Sequence, residues 1–124
     1  MSSLISNELR MYILMNSSAK MKPGKAISRA GHGISEMTEY LIKHKPIEWK
    51  IYSRNSHPKI TLKCPEEELI DIYQRYKDRS RSVWCLDVKD QGRTQVPEGT
   101  MTALVFNPMK NIDVPKEINS LKLY

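Results

Sequence analysis

Apolar residues recur along this chain in short blocks with two different periods, and each block predicts an element. Met11 to Met15 (MYILM) is an uninterrupted apolar run of five, the length and character of a buried strand. After the loop NSSAK, Pro23 stands where the first helical turn tolerates a residue without an N–H. Ile27, Ala30, Ile34, Met37 and Leu41 then recur at intervals of three and four, one apolar stripe on a helix ending near Lys45-Pro46. Ala30, Gly31 and Gly33 are small residues within that helix. Glycine there costs about 1 kcal/mol relative to alanine, so close approach to a strand is the expected compensation. Residues 46–58 have no clean period and read as a connection anchored by Trp49 and Tyr52. Lys59 to Lys63 (KITLK) alternates, a strand with Ile60 and Leu62 facing inward. Pro65 and Glu66, Glu67 and Glu68 open a second helix, where the helix dipole favours acids, with Leu69, Ile72, Tyr73 and Tyr76 as its apolar face. Ser82 to Asp87 and Ala103 to Phe106 are the third and fourth strands. A further short helical turn is expected within Ile112 to Ser120, and LKLY closes the chain as an extended tail.

The order strand, helix, strand, helix, strand, strand predicts an α/β fold, a single small domain with about four strands. Helical crossovers require some parallel pairing, and a sheet built that way is covered by helices. At 124 residues the chain holds one domain with a modest core and no second one. Residues 1–10 (MSSLISNELR) read as a flexible N-terminal arm, and 11–124 as the domain.

Composition changes this picture only in part. No apolar run is long enough for a membrane span or a signal-peptide core, so no membrane partner and an intracellular, cytoplasmic protein are the expectation. Cys64 and Cys85 have no CxxC partner and read as reduced, with Cys85 a small core residue. His32, His44 and His57 lack the spacing of a metal site, so no metal is expected. Twenty basic residues against fourteen acidic ones give a net charge of +6, which favours a polyanionic partner. Lys20, Lys22, Lys43 and Lys45 are candidates for nucleic-acid backbone contact.

Chemistry concentrates in DQGRTQVPEGTMT, Asp90 to Thr102. Two acids (Asp90 and Glu98), one base (Arg93) and three hydroxyls (Thr94, Thr100, Thr102) share a stretch carrying Gly92, Pro97 and Gly99. It is too rich in turn residues for a helix and too polar for a core strand. A polar loop rooted in a sheet is where binding and catalytic groups tend to lie.

Two stretches together resemble the archaeal and eukaryotic (type 2) peptidyl-tRNA hydrolases. Lys20 to Gly33 (KMKPGKAISRAGHG) is similar to that family's motif built around KMGKGK and a following AAQCAHA, and DQGRTQVPEGTMT is very close to its DAGRTQI-P-GT-T loop. KITLKCPEEEL and the terminal NSLKLY follow in family order, so the resemblance runs from about Met11 to Tyr124. It implies a small mixed sheet with helices on both faces, often in a homodimer, and hydrolysis of the ester joining a stalled peptide to tRNA, with no cofactor. Carried over residue by residue, Lys25 matches the helix-start lysine, Asp90 the acid, and Thr94 and Thr102 the loop hydroxyls. Such a site needs a water activated near neutral pH and a donor for the developing oxyanion. Asp90 would orient or deprotonate the water that Thr94 holds, while Lys25 stabilises the negative charge and keeps the acid ionised. Lys20, Lys22, Arg29 and Arg93 would bind the substrate. Arg29 stands where the family usually has glutamine, Ser18 replaces an acid, and Pro23 replaces a lysine. A non-catalytic RNA-binding or adaptor module on the same fold is the alternative that Arg29 suggests, and an enzyme acting on another acyl ester is a third.

Overall fold

The computed structural model describes residues 8–89 and 99–124. Strand β1 (Met11–Asn16) is followed by a 3-10 turn (Ser17–Ala19) and helix α1 (Pro23–His44). Helix α2 (Pro46–Ser53), β2 (Lys59–Cys64) and helix α3 (Glu66–Tyr76) come next. Strands β3 (Cys85–Lys89) and β4 (Met101–Phe106), a 3-10 turn (Asn111–Asp113) and the four-residue helix α4 (Lys116–Asn119) complete the described chain. The sheet is mixed, in the order β2-β1-β4-β3. β1 and β2 are parallel, Leu14 opposite Leu62, while β4 is antiparallel to both β1 and β3.

The strands sort their side chains by the two-residue period of the pleat. Met11, Ile13, Met15, Leu86, Val88, Ala103 and Val105 face α1 and α2 in one apolar cluster with Met37, Leu41 and Tyr52. Tyr12, Leu14, Leu62, Cys85, Leu104 and Phe106 face α3 and α4 in a second, with Leu69, Ile72 and Ile118. Helices therefore cover both faces, which is why every residue of β1 and β4 is buried.

Four details differ from expectation. Residues Pro46–Ser53 form a helix rather than an irregular connection. Pro46 pushes Lys45 out of helical geometry (φ −140°, ψ 59°), separating α2 from α1. Only Tyr52 of α2 is buried, so there was no apolar stripe to read. Second, β3 begins at Cys85, because the Asn107 side chain takes over pairing upstream. Its Oδ1 accepts from the Trp84 amide at 3.0 Å and its Nδ2 donates to the Ser82 carbonyl at 2.9 Å. Third, β4 starts two residues early, at Met101. Fourth, Gly31 and Gly33 differ. A Cβ on Gly33 would lie 2.5 Å from Val105 Cγ2 and 2.9 Å from Val88 Cγ2, whereas one on Gly31 would meet nothing within 4 Å. Only Gly33 is there for close approach to the sheet.

At the N-terminus, Arg10 exchanges two backbone hydrogen bonds with Met109 and Leu9 packs on the core, while residues 1–7 of the expected arm lie outside the described residues. At the other end, Lys63 donates to the Lys122 carbonyl and Tyr124 to that of Thr61, so the tail pairs with the outer edge of β2.

Candidate active site

The sheet topology brings the end of β1, the end of β3 and the start of α1 to one side of the molecule. β1 and β3 run in the same direction, each being antiparallel to β4. β1 therefore ends at Asn16, and β3 at Lys89, on the same side of the molecule. Helix α1 begins on that side too, because only the turn and Lys20–Lys22 separate it from β1. Lys20 adopts a left-handed backbone (φ 51°) as the chain turns back toward the helix.

Lys25 is the third residue of α1 and is half-buried. Helical periodicity puts Lys25, Arg29, Glu36, Tyr40 and Lys43 on one flank, at intervals of four, seven, four and three. That flank faces β3. Tyr40 packs edge-on against Trp84, with ring centroids 5.0 Å apart, and Glu36, Tyr40 and Lys43 line an open pocket together with Leu86 of β3. Lys25 and Arg29 thus occupy the β3-facing flank near the edge where β3 ends. Lys20 and Lys22 are exposed at the same end.

Asp90, Arg93 and Thr94 lie outside the described residues. Thr102 is described, and it is fully buried at an irregularity of β4. Val88 pairs with Ala103 but Lys89 with Met101, so Thr102 is the extra residue of a bulge. Its Oγ1 donates to the Val88 carbonyl at 2.9 Å, a bond made one residue before β3 ends.

Two residues at this edge carry a link the amino-acid pattern did not reveal. Asn16 is 1% exposed, and its Nδ2 donates to the Met101 carbonyl at 2.8 Å and to Glu66 Oε1 at 3.0 Å. Ser18 Oγ accepts from the Glu66 amide at 3.0 Å, fastening the turn after β1 to the start of α3. The signal for Asn16 was an amide directly continuing the apolar run MYILM, where a strand residue would ordinarily be hydrophobic.

The remaining candidates fall elsewhere. Lys43 and Lys45 sit at the far end of α1, a helix roughly 30 Å long at 1.5 Å per residue, so they do not share a patch with Lys20 and Lys22. Lys45 Nζ is committed to the Arg79 carbonyl and lies over the Trp84 ring. His32 pairs with Glu36 at 2.7 Å on the exposed side of α1. Trp84 is fully buried in the core. Both cysteine thiols are buried and pushed up to about 12 by desolvation, which leaves them protonated at neutral pH.

On the opposite flank of α1, a largely apolar groove of about 560 Å³ runs between Ala26, Ile34, Met15, Met21, Thr61 and Tyr124. Among the described residues no three His, Cys, Asp or Glu side chains gather as a metal would require. No helix among them is long and apolar enough to cross a membrane.

The fold is a mixed α/β domain whose first helix, with Lys25 in its first turn, begins on the side of the sheet where β1 and β3 end. The model of the family "Peptidyl-tRNA hydrolase PTH2" matches residues 9–124, and the chain belongs to that family. It is 32% identical over 116 residues to the peptidyl-tRNA hydrolase of Methanocaldococcus jannaschii, an alignment covering 93% of this chain and 99% of the relative. The peptidyl-tRNA hydrolase of Methanothermobacter thermautotrophicus is 29% identical over 115 residues, covering 93% of this chain and 99% of that protein. Human "Peptidyl-tRNA hydrolase 2, mitochondrial" is 28% identical over 120 residues, covering 96% of this chain and 66% of its own length.

Proposed function

We propose that this protein hydrolyses peptidyl-tRNA with water as the nucleophile, using Asp90, Lys25 and Thr94. The reaction goes with membership of the family. In this reading Asp90 takes a proton from a water that Thr94 holds. The water oxygen bonds to the acyl carbon, and Lys25 stabilises the negative charge that develops on the carbonyl oxygen. The ester C–O bond then breaks, the proton returns to the departing ribose oxygen, and peptide and tRNA separate. No cofactor enters the scheme. Thr102, whose hydroxyl donates to the Val88 carbonyl, serves here by holding the bulge between β3 and β4 rather than by touching substrate. Lys20, Lys22, Arg29 and Arg93 contact tRNA phosphates.

One observation carries the reading: Lys89, the residue before Asp90, ends its strand at the edge where α1 starts, and Lys25 lies on the flank of α1 that faces that strand. The cytoplasm is the proposed location and a homodimer the proposed assembly, the latter supported by Ile27 and Tyr124, exposed apolar residues around the groove on α1. Fractionation and mass in solution test these two.

The activity is tested with N-blocked aminoacyl-tRNA. Wild-type protein should release blocked amino acid and Asp90→Ala should not. Hydrolysis that survives Asp90→Ala removes the role given to that acid, and tight tRNA binding without turnover would make the protein an adaptor.

A further inference from the structure

Asn16 is the last residue of a strand whose other five residues are Met11, Tyr12, Ile13, Leu14 and Met15. A buried amide is costly unless every donor and acceptor is satisfied, and an apolar residue could end this strand without that cost. Here the amide is fully used. Nδ2 donates to the Met101 carbonyl at 2.8 Å and to Glu66 Oε1 at 3.0 Å. Oδ1 accepts from the Ser18 and Ala19 amides at 2.9 and 3.1 Å. One side chain thus ties together the turn leading to Lys25, the first residue of α3, and the first residue of β4.

Met101 is where the segment carrying Asp90 and Thr94 rejoins the sheet, one residue before the bulge at Thr102. Met101 cannot shift along the sheet without breaking the bond from Asn16, and neither can the turn that leads into α1. We infer that Asn16 is a positioning residue for the hydrolysis, setting the spacing between the helix that carries Lys25 and the start of β4 at Met101. The inference rests on the proposed roles of Asp90 and Lys25. It concerns the arm to Met101, since the arm to Glu66 fastens only α3.

Asn16→Asp keeps the size and the acceptor for Ser18 and Ala19 but loses both donors, turning a carboxylate toward two other acceptors. Peptidyl-tRNA hydrolysis should lose about tenfold to a hundredfold in kcat, the scale of a misplacement of about 1 Å, with KM changed less than kcat. The double variant Asn16→Asp/Glu66→Gln restores a donor–acceptor pair to α3 but leaves the Met101 carbonyl without its donor. It should regain most of the lost Tm and stay slow. Glu66→Gln alone should keep near-wild-type kcat. If kcat recovers together with Tm in the double variant, or if Asn16→Asp turns over at the wild-type rate, Asn16 is only a fold residue and the inference is overturned. Should Asn16→Asp not fold, the double variant alone decides, a wild-type kcat there refuting the inference. Asp90→Ala in parallel separates the two layers. If it stays active the catalytic reading falls, and if it is inactive while the Asn16 variants are fast, only the positioning role falls.

Discussion

Replacing Gly31 and Gly33 of α1 by alanine should move stability in opposite directions. A methyl group on Gly33 would have to sit 2.5 Å from Val105 Cγ2 and 2.9 Å from Val88 Cγ2, where ordinary contact begins near 3.4 Å. Both valines are buried, in β4 and β3, so neither has open space to enter. Overpacking of this kind costs about 1–3 kcal/mol. Alanine's better helix propensity offsets about 1 kcal/mol of that. Gly33→Ala should therefore lose up to about 2 kcal/mol, a fall of up to roughly 8 °C in Tm for a domain of this size. Gly31 is exposed and a Cβ there meets nothing within 4 Å. Gly31→Ala should gain up to about 1 kcal/mol, from helix propensity and a less flexible unfolded chain. Thermal and urea unfolding of the two variants, read side by side, measure both signs. If Gly33→Ala is as stabilising as Gly31→Ala, α1 does not lie against β3 and β4 as described, and the orientation given to Lys25 goes with it.

Three further outcomes follow from the same geometry. Glu117 is held below the ordinary glutamate range by the backbone amide hydrogen-bonded to it and by bonds from Arg75 and Tyr76. A depressed carboxylate contributes stability that is present above its unfolded pKa and lost as pH falls through the folded one. Glu117→Gln should therefore flatten the loss of stability on the acid side of the ordinary glutamate pKa, and an unchanged slope in denaturation from pH 6 down would show that Glu117 contributes nothing there. Maleimide should leave Cys64 and Cys85 unmodified at neutral pH in the folded protein, since both thiols are buried and pushed up to about 12; rapid labelling seen by mass spectrometry would contradict that. If Arg29 grips a tRNA phosphate, Arg29→Gln should lower the slope of log affinity against log salt by about one, whereas an unchanged slope would remove it from the binding surface.

Elements with strong periodicity were legible in the sequence. The α1 stripe, the alternation of KITLK and the apolar run of β1 each led to the right element because burial on one face or both imposes its period on the side chains. Helix α2 was hidden because it buries only Tyr52, and the start of β3 shifted because Asn107 replaces ladder pairing, a long-range effect no local pattern records. Lys25 and the Asp90–Thr102 segment stand out in the sequence as motifs, but that β3 ends on the side where α1 starts depends on strand order, which is a property of the folded sheet. Asn16 was the opposite case, a polar residue visible at the end of an apolar run whose meaning depends on Met101 and Glu66, eighty-five and fifty positions away.

The most direct test of the proposed mechanism is a double-mutant cycle on Lys25 and Asp90, with kcat/KM for N-blocked aminoacyl-tRNA measured for Lys25→Ala, Asp90→Ala and the pair. Two groups serving one transition state lose their effects together, so the pair should be little slower than the worse single variant. Losses that simply multiply would mean the ammonium and the carboxylate act independently, and the single shared site would be contradicted.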